Sequence, residues 1–149
     1  YKMMMEFESS VAGLSDGGAH CGLICDASMP TWNIAHYTRD RVKGDKIPLE
    51  FLIRKQTKET AETFGLMDRG QIKEGYLADI NIIDHENLCV YKPEMVHDLP
   101  TGSRRIIQKA GGYIATIKSG VVTFKNDQAT GELPGTVLRG ERTAEAISA

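Results

Sequence analysis

The sequence predicts an α/β chain built from two unlike stretches, and three observations carry that expectation. A short apolar run, Val11-Ala12-Gly13-Leu14, stops abruptly at Ser15-Asp16-Gly17-Gly18. Apolar residues between Leu49 and Phe64 recur at helical spacing. From about residue 68 onward, glycines and β-branched residues alternate with turn signals. With 149 residues, of which 41% are hydrophobic and 26% charged, the chain can hold one ordinary core or two smaller units.

Taken in order, Val11–Leu14 predicts a strand whose end delivers Asp16 into a turn. In α/β barrels catalytic groups sit at such C-terminal strand ends. The following stretch, from Ala19 to about Gly44, predicts a long loop dense in polar and aromatic groups, and Trp32, His36 and Tyr37 argue for order within it. A helix is predicted from about Pro48 to Phe64, with Leu49, Leu52, Ile53, Gln56, Thr60 and Phe64 at helical spacing. Pro48 suits the first helical position, and Gly65 a left-handed stop. Strands are predicted over Ala78–Ile83, Tyr113–Ile117, Val121–Phe124 and Thr136–Leu138, with Lys118-Ser119-Gly120 as a tight hairpin turn. The small polar tail, residues 141–149, is expected to fray.

Composition excludes several classes. A net charge of -2 and a pI near 6.1 give no reason to expect nucleic acid or an anionic membrane as partner. No apolar run approaches the roughly 18 residues that span a bilayer. Tyr1-Lys2-Met3-Met4-Met5 is too short, and too soon followed by Glu6 and Glu8, for a secretory signal. Three cysteines without CxxC spacing, Cys21, Cys25 and Cys89, fit a reducing compartment, hence a cytoplasmic location. No Walker A loop, GxGxxG, HExxH or HxH occurs.

The chemistry-bearing residues each admit two readings. Asp16 is either a turn aspartate bonding its own backbone or a carboxylate that binds a divalent metal and moves a water proton. His20, Cys21, Cys25 and Asp26 have zinc-binding atom types but lack a second ligand pair, so small buried cysteines are the plainer reading. Arg39, in Arg39-Asp40-Arg41, is either a clamp for a substrate carboxylate or part of a solvated charge run. Asp98 with Arg104-Arg105 divides the same way, in favour of a structural loop. His36, His85 and His97 stand singly as hydrogen-bonded or surface groups, and Met3-Met4-Met5 as core filler.

The strings GLSDGGAH, CDASMPTW, HYTRDR and QTKETAETFGLMDRGQIKEGYLADINIID, followed in order by HDLPTGSRR, GGYIATIKSGVV and TGELPGTVLRG, resemble the C-terminal portion of the N-acyl-D-amino-acid deacylase (D-aminoacylase-like) branch of the amidohydrolase superfamily. The resemblance runs from about Val11 to Gly140. It implies the last strand and helix of a metal-dependent (β/α)8 barrel in residues 1–67, with strands of a small β-sandwich domain in residues 68–140. It implies that Asp16 binds the catalytic metal, zinc in the full-length parent, and handles the proton of the attacking water. His20 and Arg39 become candidate substrate contacts for a small-molecule N-acyl amino acid. The family's remaining metal ligands come from earlier strands, so the chain reads as a C-terminal fragment that alone binds no catalytic metal, is inactive and tends to self-associate. A cyclic-amide hydrolase of the dihydroorotase or hydantoinase kind, and a non-catalytic β-rich module, stand as alternatives.

Overall fold

The computed structural model describes residues 1–13, 15 and 20–140. Helices dominate the first part. α1 spans Lys2–Glu6, a 3-10 turn at Asp26–Ser28 leads into α2 at Met29–Ile34, and a wide π turn at Ala35–Asp40 continues it. α3 spans Leu49–Arg54, widens into a π turn at Lys55–Glu59 and closes as α4 at Thr60–Thr63. Among the described residues, no helix is long and apolar enough to cross a membrane.

The α3–α4 helix forms where the periodicity predicts it, with one shift at its start. Pro48, at φ -56° and ψ 137°, is the capping residue rather than the first helical one. At the other end Gly65 takes φ 69°, its N–H bonds the Glu62 carbonyl, and the Leu66 N–H bonds the Ala61 carbonyl. That pair of bonds satisfies carbonyls the helix end would otherwise strand, and it needs the left-handed residue that glycine supplies cheaply.

Residues Asp26–Asp40, expected as loop, are helical instead. Pro30 sits in the first turn of α2, where its missing N–H costs nothing. Thr31, Ile34 and Ala35 then fall on one buried face. Two small clusters result. Ile34, Ala35 and Leu88 pack with the partly buried Leu49, Ile53, Ile83 and Tyr113. Tyr37, Ile47 and Leu52 pack with Met5 and Phe51. Each fully buried Leu or Ile contributes roughly 1.5–3 kcal/mol.

The strand-rich part contains β1 Ile80–Ile83, β2 Cys89–Val90, β3 Glu94–Val96, β4 Arg105–Ile107, β5 Ala110–Gly111, β6 Tyr113–Lys118, β7 Val121–Lys125 and β8 Gln128–Ala129. A four-stranded antiparallel sheet runs in the order β1-β6-β7-β8, and β2-β5 and β3-β4 make separate two-stranded ladders. Ile80 faces Ile117 and Ile82 faces Ala115. The expected hairpin is present: Ser119 and Gly120 take φ 50° and 81°, the doubly left-handed turn that matches strand twist. Asn126 and Asp127 repeat that turn between β7 and β8 at φ 48° and 62°.

Two strand expectations fail. Val11, Ala12 and Gly13 join no ladder, and Leu14 lies outside the described residues. Parallel strands exist only beside neighbours, and no described segment flanks this one as a strand. Thr136–Leu138 is likewise unladdered, with Val137 exposed. The expected frayed tail, residues 141–149, lies outside the described residues.

The two parts meet at Leu88, which is 0% exposed. Gly112, at φ 97°, lies against it so closely that a Cβ there would stand 2.8 Å from the Leu88 Cα. Only glycine meets both conditions. Asp68, also fully buried, accepts two bonds from Arg69, which reaches on to Asp79, and Lys118 completes this chain of charges at 2.9 Å from Asp79 Oδ1. It ties the segment after α4 to the β6–β7 hairpin.

Candidate functional site

Asp16, the expected catalytic and metal-binding carboxylate, lies outside the described residues. The described residues around it are held on both sides. Before it, the Ala12 carbonyl accepts from Thr60 Oγ1 at 2.8 Å and the Ser10 carbonyl from Lys55 Nζ at 2.7 Å. Immediately beside it, Ser15 Oγ donates to the Ala27 carbonyl at 2.8 Å, on the 3-10 turn that starts α2. After it, the His20 carbonyl accepts from Leu23 and Ile24, and the Cys21 carbonyl from Ile106 of β4.

His20 has an exposed side chain and a left-handed backbone, φ 62°, a conformation that histidine tolerates better than most residues. It stands exposed at a chain reversal.

Arg39 is placed differently. Its Nε and Nη2 hold Asp40 at 2.6 and 2.8 Å, Nη1 donates to the His85 and Glu86 carbonyls, and Nη2 also donates to the Leu88 carbonyl at 2.8 Å. A guanidinium has five N–H donors, and every one meets an acceptor in this chain. The hydrogen bond to Asp40 raises the Arg39 pKa and holds the Asp40 carboxyl below the usual carboxylate range. In this arrangement Arg39 clamps residues 85–88 to the end of the α2 helix, leaving no donor for a substrate carboxylate.

The other candidates settle into structural positions. His36 stacks on Trp32 with ring centroids 4.4 Å apart. His85 Nε2 lies 2.7 Å from Thr38 Oγ1, whose own hydrogen goes to the Ile34 carbonyl, so the ring nitrogen is the donor. Arg105 grips Asp98 with two bonds of 2.7 and 2.6 Å, which holds the Asp98 carboxyl below its ordinary range. Cys21, Cys25 and Cys89 are free thiols.

A catalytic zinc takes three protein ligands plus water, and among the described residues no three His, Cys, Asp or Glu side chains converge to hold a metal. The described residues therefore do not fit a metal centre. Sequence reasoning missed Lys55, a cation only 3% exposed that grips main-chain carbonyls. Its signal was position: Lys55 follows Leu52 by three residues and shares its buried side.

The chain belongs to the amidohydrolase family, whose model matches residues 1–124, a family that is generally metal-dependent. It is similar to a D-aminoacylase of Alcaligenes xylosoxydans xylosoxydans, with 33% identity over 105 residues, 70% of this chain and 19% of that protein. A solved D-aminoacylase structure, described as defining a novel subset of amidohydrolases, matches 69% of this chain and 19% of its own length with a TM-score of 0.51 and 27% identity. The chain thus spans about a fifth of the length of these relatives.

Proposed function

We propose that this chain is the C-terminal part of a longer hydrolase that cleaves the amide bond of N-acyl-D-amino acids. The observation that carries the proposal is its 33% identity to a D-aminoacylase across 105 residues. The reaction adds water to the acyl carbonyl carbon, breaks the C–N bond and gives a carboxylic acid and a free D-amino acid. Asp16 takes the proton from the attacking water and returns it to the leaving nitrogen. His20 is the proposed substrate contact, because its ring is exposed beside that segment. Zinc dependence belongs to the longer protein.

The test uses the longer protein and a panel of N-acetyl-D- and N-acetyl-L-amino acids, with cyclic amides as the competing substrates. Hydrolysis confined to the D series is expected, with loss of activity on chelation and recovery on adding zinc. Asp16→Ala should lower kcat by about 10³-fold or more, the scale of removing a positioned proton carrier. Full activity in that variant would sink the role given to Asp16.

For the 149-residue chain alone we propose self-association through the strands. Ile114 and Phe124 lie on the Thr116 face of the sheet and are exposed, and sheets bury such residues against a second layer. In the longer protein that layer would be the rest of a β-sandwich.

A further inference from the structure

We propose that Lys55 is a positioning residue for the segment leading into Asp16, acting with Thr60 to pin the main chain of residues 7–12 against the helix. The proposal rests on Asp16 being the proton carrier. Lys55 is 3% exposed and its ammonium has three N–H donors. All three are used: Ser10 carbonyl at 2.7 Å, Phe7 carbonyl at 3.4 Å and Glu59 Oε2 at 2.8 Å. Burying a charge costs several kcal/mol before its pairing is counted, and an apolar side chain of similar volume often stabilises as well. What an apolar side chain cannot do is hold two carbonyls of a segment that has no ladder of its own.

The remaining contacts make a grip rather than a single bond. Thr60, five residues on, places its hydroxyl 2.8 Å from both the Ala12 and Lys55 carbonyls. Ser10, held by Lys55, also bonds back through its N–H to Phe7 and through its hydroxyl to Met4. Residues 10–13 and Lys55 together line a groove of about 340 Å³. The pinned carbonyls thus stand six and four positions before Asp16, and Ser15 is fixed to Ala27 on its immediate flank. A segment without strand neighbours has its path set by these side chains, and an error of about 1 Å at a catalytic group costs on the order of 10²-fold in rate.

The experiment has two arms. In the 149-residue chain, amide exchange is compared for wild type, Lys55→Met, Lys55→Arg and Leu88→Ala. Lys55→Met should speed exchange about tenfold or more at Ser10, whose N–H bonds the Phe7 carbonyl, while leaving β6 and β7 unchanged, and Lys55→Arg should restore much of the protection. In the longer protein, Lys55→Met should lower kcat about 10- to 100-fold with KM within about twofold, and Thr60→Val several-fold. Leu88→Ala, destabilised elsewhere, should keep its kcat below its melting temperature. Unchanged exchange at Ser10 overturns the proposal while leaving the hydrolase reading intact. So does a kcat loss in Lys55→Met no larger than that of Leu88→Ala at a matched fall in Tm. An active Asp16→Asn variant overturns the reading beneath it and removes the purpose given to Lys55.

Discussion

The helical stretch and the strand-rich stretch of this chain are held by different means. Between Met29 and Thr63 the helices bury Ile34, Ala35, Tyr37, Leu52 and Ala61, with Ile47 between them. Beyond residue 80, Leu88 is the one fully buried large apolar side chain among the described residues, and Ile82, Ile114, Val122 and Phe124 stay exposed. The strands rely on ladder bonds, two tight turns and the Asp68–Arg69–Asp79–Lys118 charges. Hydrogen bonds and ion pairs give a sheet its register but little net stability. The strand-rich part therefore depends on its apolar anchor in the helices, where Leu88, with Ile83 and Tyr113 beside it, packs on Ile34 and Ala35.

Cutting that anchor is the hardest test of the contrast. Leu88→Ala should cost about 4 kcal/mol, a transfer loss plus a cavity. Chemical denaturation should show both parts melting together, because Leu88 packs on Ile34 and Ala35 from one side and on Ile83 and Tyr113 from the other. A strand signal that survives while helix is lost would break the comparison.

Acid is expected to act more gently, through carboxyls held below their ordinary range in both parts, Glu59 and Asp98 among them. The hydrogen bond from Lys55, with its charge and that of Arg54, holds Glu59 below its ordinary pKa of 4.5. A carboxyl with a depressed folded pKa stabilises the fold above the unfolded value and loses that contribution as pH falls through the folded one. Stability should be steady above pH 4.5 and decline below it. The Glu59 side chain is 26% exposed, so solvent screens part of that share. A titration of Tm against pH in wild type and Glu59→Gln reads it directly.

Phe124→Ser should change stability least, by less than about 0.5 kcal/mol, since surface substitutions seldom exceed that. The same change should reduce concentration-dependent association in sedimentation velocity. A fall in Tm comparable to Leu88→Ala would mean that the strands bury this side chain after all.

Local signals were legible in the sequence where one residue type answers one backbone demand. Gly65 and Ser119-Gly120 announce left-handed positions, and the spacing from Leu49 to Phe64 announces a helix. Asp26–Asp40 was illegible because its wide turn breaks the 3.6-residue spacing and its aromatic members partly stack on each other instead of marking one face. Arg39 was illegible for a different reason: its acceptors, residues 85, 86 and 88, lie far along the chain, and carbonyls leave no trace in side-chain patterns. Thr136–Leu138 has strand composition without a strand partner. Of the candidate site, His20 and the frame around Asp16 can be placed, and residues 16–19 lie outside the described structure.

The wide turns at Ala35–Asp40 and Lys55–Glu59 have a consequence for how variants of this chain should be compared. Such a turn holds one residue more than a regular one, and each residue advances a helix by about 100°. Deleting a single codon within Lys55–Glu59 would let this turn close as a regular one, with Thr60 still facing Ala12 and the helix scarcely shorter. Single insertions and deletions here are absorbed by the width of the turn, so a gap of one in an alignment at this place marks a helix whose far end keeps its direction.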